Sequence, residues 1–327
     1  MKHIPVAYYS ARHGVYYERR LRKSTQFVFG AYLLVFGIAV LLAGPSIKPR
    51  LSHIVASMHH APTQSRLVAH TDKAALSSAP KVALHQPKLP DPQSEAGRLA
   101  TAVATALEQN PASNWSVSVY DIQAKTWLLR SNSQQQITSA SLYKLYAAYG
   151  LAEKVPFSQW ATTQLPGQTD GQNLQTCVDL MLRVSDNACG DMIGDFVGWK
   201  TIDTYLHAAG FSGTVLNQRS GPVTTADDTT RFMASLYQGK LVDPAATAFL
   251  LDSLHHQLYR AAIPAGCQDC STYNKTGNES GVAHDSAVIF SGGRKYAVTI
   301  MSQNGGSYAK IAEVERAIQS VLVPKAL

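Results

Sequence analysis

Between Lys23 and Lys48 the 327-residue chain carries no charged side chain. The densest part of this stretch, FVFGAYLLVFGIAVLLA from Phe27 to Ala43, is apolar all round and ends at Gly44 and Pro45. A helix needs about 20 apolar residues to cross a bilayer core, and the surface helix of a soluble domain would show a polar face. The run therefore predicts a transmembrane anchor over residues 27–47. Arg12, Arg19, Arg20, Arg22 and Lys23 precede it. The positive-inside bias then leaves residues 1–26 in the cytoplasm and everything after Ile47 outside. A cleavable signal peptide is the competing reading, but the charged lead is long for one. Leu41 also interrupts a small-x-small cleavage pattern ending at Ala43.

The net charge of +7 is unevenly spread. Residues 1–26 hold six Lys/Arg against one acid, residues 48–94 six against two, and residues 95–327 17 against 19. The part long enough to build a core has no positive excess, so no nucleic-acid partner is expected. Residues 48–94 are rich in Ala, Ser, Pro and His and lack periodicity, as in SSAPKVALHQPKLPDPQS, and read as a flexible linker. Seven of the eleven histidines precede residue 95, without ligand spacing. His207, His255, His256 and His284 form no H-E-x-x-H pattern, so no metal is expected.

From residue 95 onward the pattern is that of one α+β domain, 95–327. Glu95–Asn110 has helical periodicity and stops before Pro111. Trp115–Leu129 alternates around a turn at Gln123–Lys125 and reads as a β-hairpin. Helices are predicted over Ser141–Glu153, Leu174–Arg183, Ala188–Val197, Ile202–Ala209 and Ala226–Tyr237. Thr272–Lys275, Ser286–Phe290 and Tyr296–Ser302 read as strands, the last two joined at Gly292–Gly293, and Ser307–Leu322 as a closing amphipathic helix. This order suggests an antiparallel sheet built from N- and C-terminal strands, covered by the terminal helices, with a helical block between.

Three short signals lie in this domain: Ser141-Leu142-Tyr143-Lys144, Ser185-Asp186-Asn187 and Lys275-Thr276-Gly277. S-x-x-K alone is a cheap pattern, since Ser78–Lys81 and Ser307–Lys310 match it too. Only Ser141 both opens a predicted helix and precedes the other two signals. On a helix, residues three apart share a face, so the Lys144 amine can reach the Ser141 hydroxyl. A buried lysine near another cation has a lowered pKa and can serve as a base. The Ser-Asp-Asn turn brings a hydroxyl and an amide to a cleft wall. A strand ending in Lys-Thr-Gly adds a second cation, a hydroxyl and an open edge for a peptide-like substrate, and Gly277 allows close backbone approach.

The three signals in this order, with SLYKLYAAYGL, MLRVSDNACGDMI, AAIPAGC and HDSAVI around them, resemble the superfamily of class A β-lactamases and penicillin-binding proteins. The likeness covers roughly residues 95–324. It implies that Ser141 is the acylated nucleophile, Lys144 the base or proton relay, and Ser185 the donor to the leaving nitrogen. It further implies that Asn187 positions Lys144 and substrate, and that Lys275 and Thr276 bind a substrate carboxylate. The N–H groups of Ser141 and Asn278 would form the oxyanion hole, and no cofactor is implied. The implied protein is a bacterial, single-pass membrane hydrolase whose domain outside the membrane acylates on β-lactams or related acyl-peptides.

One departure bears on turnover. Class A β-lactamases usually carry E-x-x-L-N after the helical block, the glutamate holding the water that releases the acyl group. Here Val215-Leu216-Asn217 matches the end of that pattern, but the glutamate position falls on Gly213, and no acid occurs between Tyr205 and Asp227. Acylation with slow deacylation is expected unless Asp227, Asp228 or Glu279 takes the role. A peptidoglycan D-Ala-D-Ala peptidase, a non-turnover β-lactam or cell-wall sensor, and an inactive wall-binding relative are the alternatives.

Cys177, Cys189, Cys267 and Cys270 all fall in the domain expected outside the membrane, where disulfides persist. Cys177 and Cys189 flank the Ser-Asp-Asn turn on two helices that the turn would bring side by side, and Cys267 and Cys270 could close a small loop. Two structural disulfides are favoured among the three possible pairings. A lone C-x-x-C entering a strand suits neither zinc nor a redox helix.

Overall fold

An Asp-centred turn makes the first hairpin. The Asp121 carboxylate accepts from the Gln123 and Ala124 N–H groups at 2.9 and 2.8 Å, joining β1 (Asn114–Asp121) to β2 (Thr126–Ser131). The computed structural model of the chain describes residues 90–112, 114–165 and 172–323. The expected anchor at 27–47 and most of the expected linker lie outside them. Among the described residues no helix is long and apolar enough to cross a membrane.

Ahead of the hairpin, α1 (Glu95–Gln109) starts at Ser94, whose hydroxyl caps the Gly97 N–H. The hairpin is followed by β3 (Ile137–Thr138), a 3-10 turn at Ala140–Leu142 and α2 (Tyr143–Lys154). The helical block continues with α3 (Leu174–Arg183), α4 (Asn187–Val197) and α5 (Trp199–Ala208). A short strand β4 (Val223–Thr224), which pairs with β3, leads into α6 (Ala226–Tyr237) and α7 (Pro244–His255). One turn of helix, α8 (Ile263–Gly266), precedes β5 (Ser271–Glu279), β6 (Val282–Ser291) and β7 (Arg294–Gln303), and α9 (Tyr308–Leu322) closes the domain.

The five long strands form one antiparallel sheet in the order β2-β1-β7-β6-β5, so N- and C-terminal strands share it as the sequence predicts. Strand alternation gives the sheet two apolar faces. Val117, Val119, Ile289, Val298 and Ile300 pack with Leu99 and Val103 of α1 and with Ile311, Val314 and Ile318 of α9. Val288, Ala297 and Met301 pack with the helical block. Every residue of α2 from Tyr143 to Leu151 is buried, so this helix lies inside the block rather than on its surface.

Several details differ from the sequence reading. Strands β5 and β6 run longer than the expected 272–275 and 286–290, because neither Gly277 nor the polar His284-Asp285-Ser286 interrupts the ladder. Helix α7 is additional, although Asp243 and Pro244 supply a cap and a first-turn proline. Ser141 belongs to the 3-10 turn that leads into α2, not to the α-helix itself. Both favoured disulfides are present, Cys177–Cys189 between α3 and α4 and Cys267–Cys270 ahead of β5.

Candidate active site

Ser141 is half-buried at the mouth of α2, and its predecessor Ala140 sits at φ +43°. A left-handed alanine costs about 1–2 kcal/mol, a strain that the packed surroundings must hold. One helical turn later Lys144 is wholly buried. Its Nζ lies 3.0 Å from Ser141 Oγ and 2.8 Å from the Ser185 carbonyl oxygen, and it also meets Asn187 Oδ1. Burial lowers the Lys144 pKa to about 7, against the opposing pull of Asp191 and Asp186. A neutral amine has two N–H groups and one lone pair. Donating to the Ser185 carbonyl and Asn187 Oδ1 leaves the lone pair for the Ser141 hydroxyl proton.

The second motif reaches the site from the turn between α3 and α4. Ser185 is itself left-handed, at φ +58°. Asp186 caps α4 by accepting from the Cys189 N–H at 2.8 Å, and Asn187 is the first residue of that helix. The Cys177–Cys189 disulfide ties the helices on either side of this turn. The third motif comes from β5, the last strand in the sheet order. Lys275 is wholly buried, and its Nζ donates to Ser185 Oγ at 2.9 Å and to the Thr276 carbonyl at 2.8 Å. Its pKa is held well below the usual lysine range by burial and by Lys144, with Asp285 opposing. The sequence points to a neighbouring cation as one cause of a depressed Lys144; burial is the chief cause for Lys144 itself.

Gly277 brings β5 against the Ser141 turn. A Cβ there would fall 3.1 Å from the Ser139 carbonyl oxygen and 3.2 Å from the Ser141 nitrogen. The glycine thus lets the strand meet the serine turn. Asn278 is exposed beyond it and accepts from the Tyr308 hydroxyl at 3.2 Å. The structure brings Ser141, Lys144, Ser185, Asn187 and Lys275 into one hydrogen-bonded group, with Thr276, Gly277 and Asn278 following along β5. Sequence reading misses Gln257, which is buried and donates to Thr276 Oγ1 at 3.2 Å. It follows α7, the helix that the sequence pattern does not mark.

The acids considered as replacements for the loop glutamate have other partners. Asp227 pairs with Arg130. Asp228 accepts from Arg231 at 2.6 Å and from Thr214 at 3.1 Å. Glu279 accepts from the Thr138 hydroxyl at 2.9 Å. Gly213, Asp227 and Asp228 line a polar cavity of about 690 Å³ with Trp127, Arg130 and Arg231.

Residues 98–322 match the beta-lactamase enzyme family. No curated protein matches the chain. Among solved structures, that of PBP-A is 19% identical with a TM-score of 0.60, covering 68% of this chain and 95% of that one. A beta-lactamase from Sphaerobacter thermophilus is 19% identical with a TM-score of 0.61, covering 70% and 98%. A mutant of the class A beta-lactamase of the last common ancestor of Gram-negative bacteria is 18% identical with a TM-score of 0.64, covering 70% and 100%. The order of the three motifs is thus carried on the fold it calls for, one shared with class A beta-lactamases and PBP-A, and the chain belongs to the beta-lactamase enzyme family.

Proposed function

We propose that residues 95–327 are an active-site-serine hydrolase that forms an acyl-enzyme on Ser141 with β-lactams or related acyl-peptides, held outside a bacterial membrane by residues 27–47. The observation that carries this reading is the 3.0 Å contact between the Ser141 hydroxyl and a buried amine whose pKa is about 7. A base with that pKa is half neutral at pH 7 and matched to proton transfer. Ser141 Oγ attacks the substrate carbonyl carbon while its proton passes to Lys144 Nζ. The C–N bond then breaks, Ser185 Oγ gives its proton to the departing nitrogen, and the Lys144 ammonium, 3.3 Å away, restores it. The N–H groups of Ser141 and Asn278 face the oxyanion, and Lys275 and Thr276 take the substrate carboxylate. A PBP-A variant has been solved as an acyl-enzyme complex with penicillin G, which supports the same chemistry here.

The reading is tested by treating the protein with a fluorescent penicillin and locating the adduct by mass spectrometry. The adduct should fall on the peptide containing Ser141 and vanish in Ser141→Ala, while Ser78→Ala and Ser307→Ala keep it. An adduct that survives Ser141→Ala overturns the assignment. Ser307 is a poor rival, since its hydroxyl caps α9 and Lys310 Nζ donates to the Pro111 and Gly305 carbonyls. Alkaline phosphatase fused after Leu327 should be active if the domain lies outside, and inactive if it does not.

A D-Ala-D-Ala peptidase is the second reading, favoured by Gly213 at the loop-glutamate position. Rapid cleavage of such a peptide with no attack on a chromogenic cephalosporin would select it.

A further inference from the structure

Asp191 belongs to none of the three motifs, yet it is a carboxylate on the side of α4 that meets the lysine. It follows Asn187 by four residues, so the two share a face of α4. That face presses on α2. At Gly190 a Cβ would fall 2.6 Å from Tyr143 Oη and 2.8 Å from Lys144 Cε. Tyr143 Oη donates to Asp191 Oδ1 at 3.0 Å. The Lys144 ammonium position lies 5.2 Å from the centre of the Tyr143 ring, and Trp199 packs on the same ring at 5.7 Å. Asn187 thus holds the lysine directly, while Asp191 is fixed one turn further along.

We propose that Asp191, oriented by Tyr143, is a positioning residue for the acylation described above: its charge stabilises the Lys144 ammonium formed when Ser141 gives up its proton. The proposal rests on that functional reading. The groups facing Lys144 are few. From the cap of α4 comes Asp186, which also accepts from the Cys189 N–H, and from one turn into the helix Asp191; both pull the Lys144 pKa upward. From β5 comes Lys275, with Asp285 of β6 acting on it. From α2 itself comes Tyr143. Burial alone would hold the lysine neutral and make it a weak base, because the product ammonium would be unsupported. A fixed carboxylate on the adjoining helix counters that, and Asp191 is the first of the two carboxylates that raise the Lys144 pKa.

The test titrates Lys144 in the full chain in detergent by NMR of 13Cε-labelled lysine, with Lys144→Arg to assign the signal. Asp191→Asn should move the Lys144 midpoint down by about half a pH unit or more. The acid limb of the acylation rate should move with it, and the plateau rate should fall. Asp191→Glu should restore the parent midpoint, and Tyr143→Phe should move it in the same downward direction by a smaller amount. An unmoved midpoint in Asp191→Asn, or a lower rate with an unmoved acid limb, overturns the proposal. If Asp191→Asn does not fold, Tyr143→Phe and Asp191→Glu carry the same comparison. The NMR midpoint needs no substrate, so a parent protein that fails to acylate would defeat the hydrolase reading separately.

Discussion

Lys275 Nζ donates to the Ser185 hydroxyl at 2.9 Å, joining β5 to the turn before α4 at one oxygen. Burial and the neighbouring Lys144 hold the Lys275 pKa well below the ordinary lysine value, so its ammonium form is disfavoured in the unliganded site relative to a free lysine. A substrate carboxylate beside it would reverse the balance and draw a proton onto the amine. Binding should therefore take up protons from solution, seen as a dependence of calorimetric heat on the ionisation enthalpy of the buffer. Lys275→Met should abolish that uptake. It should also raise the concentration for half-maximal acylation by about 10–150-fold, the loss of a hydrogen bond to a charged group. Binding without proton uptake in the parent would show that Lys275 is already charged.

Lys144 gives the complementary prediction. Arginine at 144 keeps a cation but cannot release a proton near neutral pH. Lys144→Arg should therefore lose acylation about as severely as Lys144→Ala, by about 10²–10⁴-fold. In the parent the acylation rate should fall as pH drops below about 7, because the lysine then holds its proton. Stopped-flow labelling with a fluorescent penicillin measures both. Near-normal acylation by Lys144→Arg would mean that charge suffices and the proton travels by another route.

His284 links the sheet to the segment that leads into Ser141. It is wholly buried, its Nδ1 lies 2.8 Å from the Ala283 carbonyl oxygen and 3.2 Å from the Ser302 nitrogen, and its Nε2 lies 2.9 Å from the Thr138 carbonyl oxygen. Burial lowers its pKa to about 4, below the unfolded value of 6.5. The unfolded chain thus binds the proton first. Stability from the neutral ring is complete above about pH 6.5 and drains away as pH falls toward 4, on the order of 3 kcal/mol in all. Asp285, raised to about pH 7 by its own burial, titrates nearby, so the comparison must be between variant and parent at each pH. His284→Gln can still donate to Thr138, and should be less stable than the parent at pH 7 while losing less on going to pH 4. Urea midpoints at both pH values decide it; equal losses would remove His284 from the account.

Much of this site could be read from the sequence because its residues come in short local runs. Ser141 and Lys144 are one helical turn apart, Ser185 and Asn187 share a turn, and Lys275 to Asn278 share a strand. What could not be read lies in contacts between elements. Asp191 follows Asn187 by one turn, but its value depends on Tyr143 reaching it from another helix. Gln257 reaches Thr276 only because α7 stands beside β5, and α7 is apolar on several sides and shows no amphipathic stripe. The pairing of β3 with β4 joins two-residue segments far apart in the chain, Ile137 with Thr224 at one end and Thr138 with Val223 at the other, too short for any periodicity to mark. The left-handed Ala140 and Ser185 are likewise imposed by tertiary packing, since neither residue type favours that conformation.

The last prediction concerns release of the acyl group. Hydrolysing an acyl-enzyme needs a water that is positioned and deprotonated, and Gly213 stands where the family pattern puts the carboxylate for this. Losing such a base costs on the order of 10²–10⁴ in rate, or about 3–5 kcal/mol. A chromogenic cephalosporin should therefore give a burst equal to the enzyme concentration and then slow turnover. Restoring the acid should not rescue turnover. A Cβ at Gly213 would fall 2.7 Å from Thr225 Cγ2 and 3.1 Å from Asp228 Oδ2. A glutamate there would crowd the start of α6 and meet a like charge. Gly213→Glu should lose about 1–3 kcal/mol of stability through overpacking and keep the burst. A linear trace without a burst in the parent would mean that a base acts from elsewhere. Fast steady turnover in Gly213→Glu would mean that the loop can open to seat the new carboxylate against the acyl group.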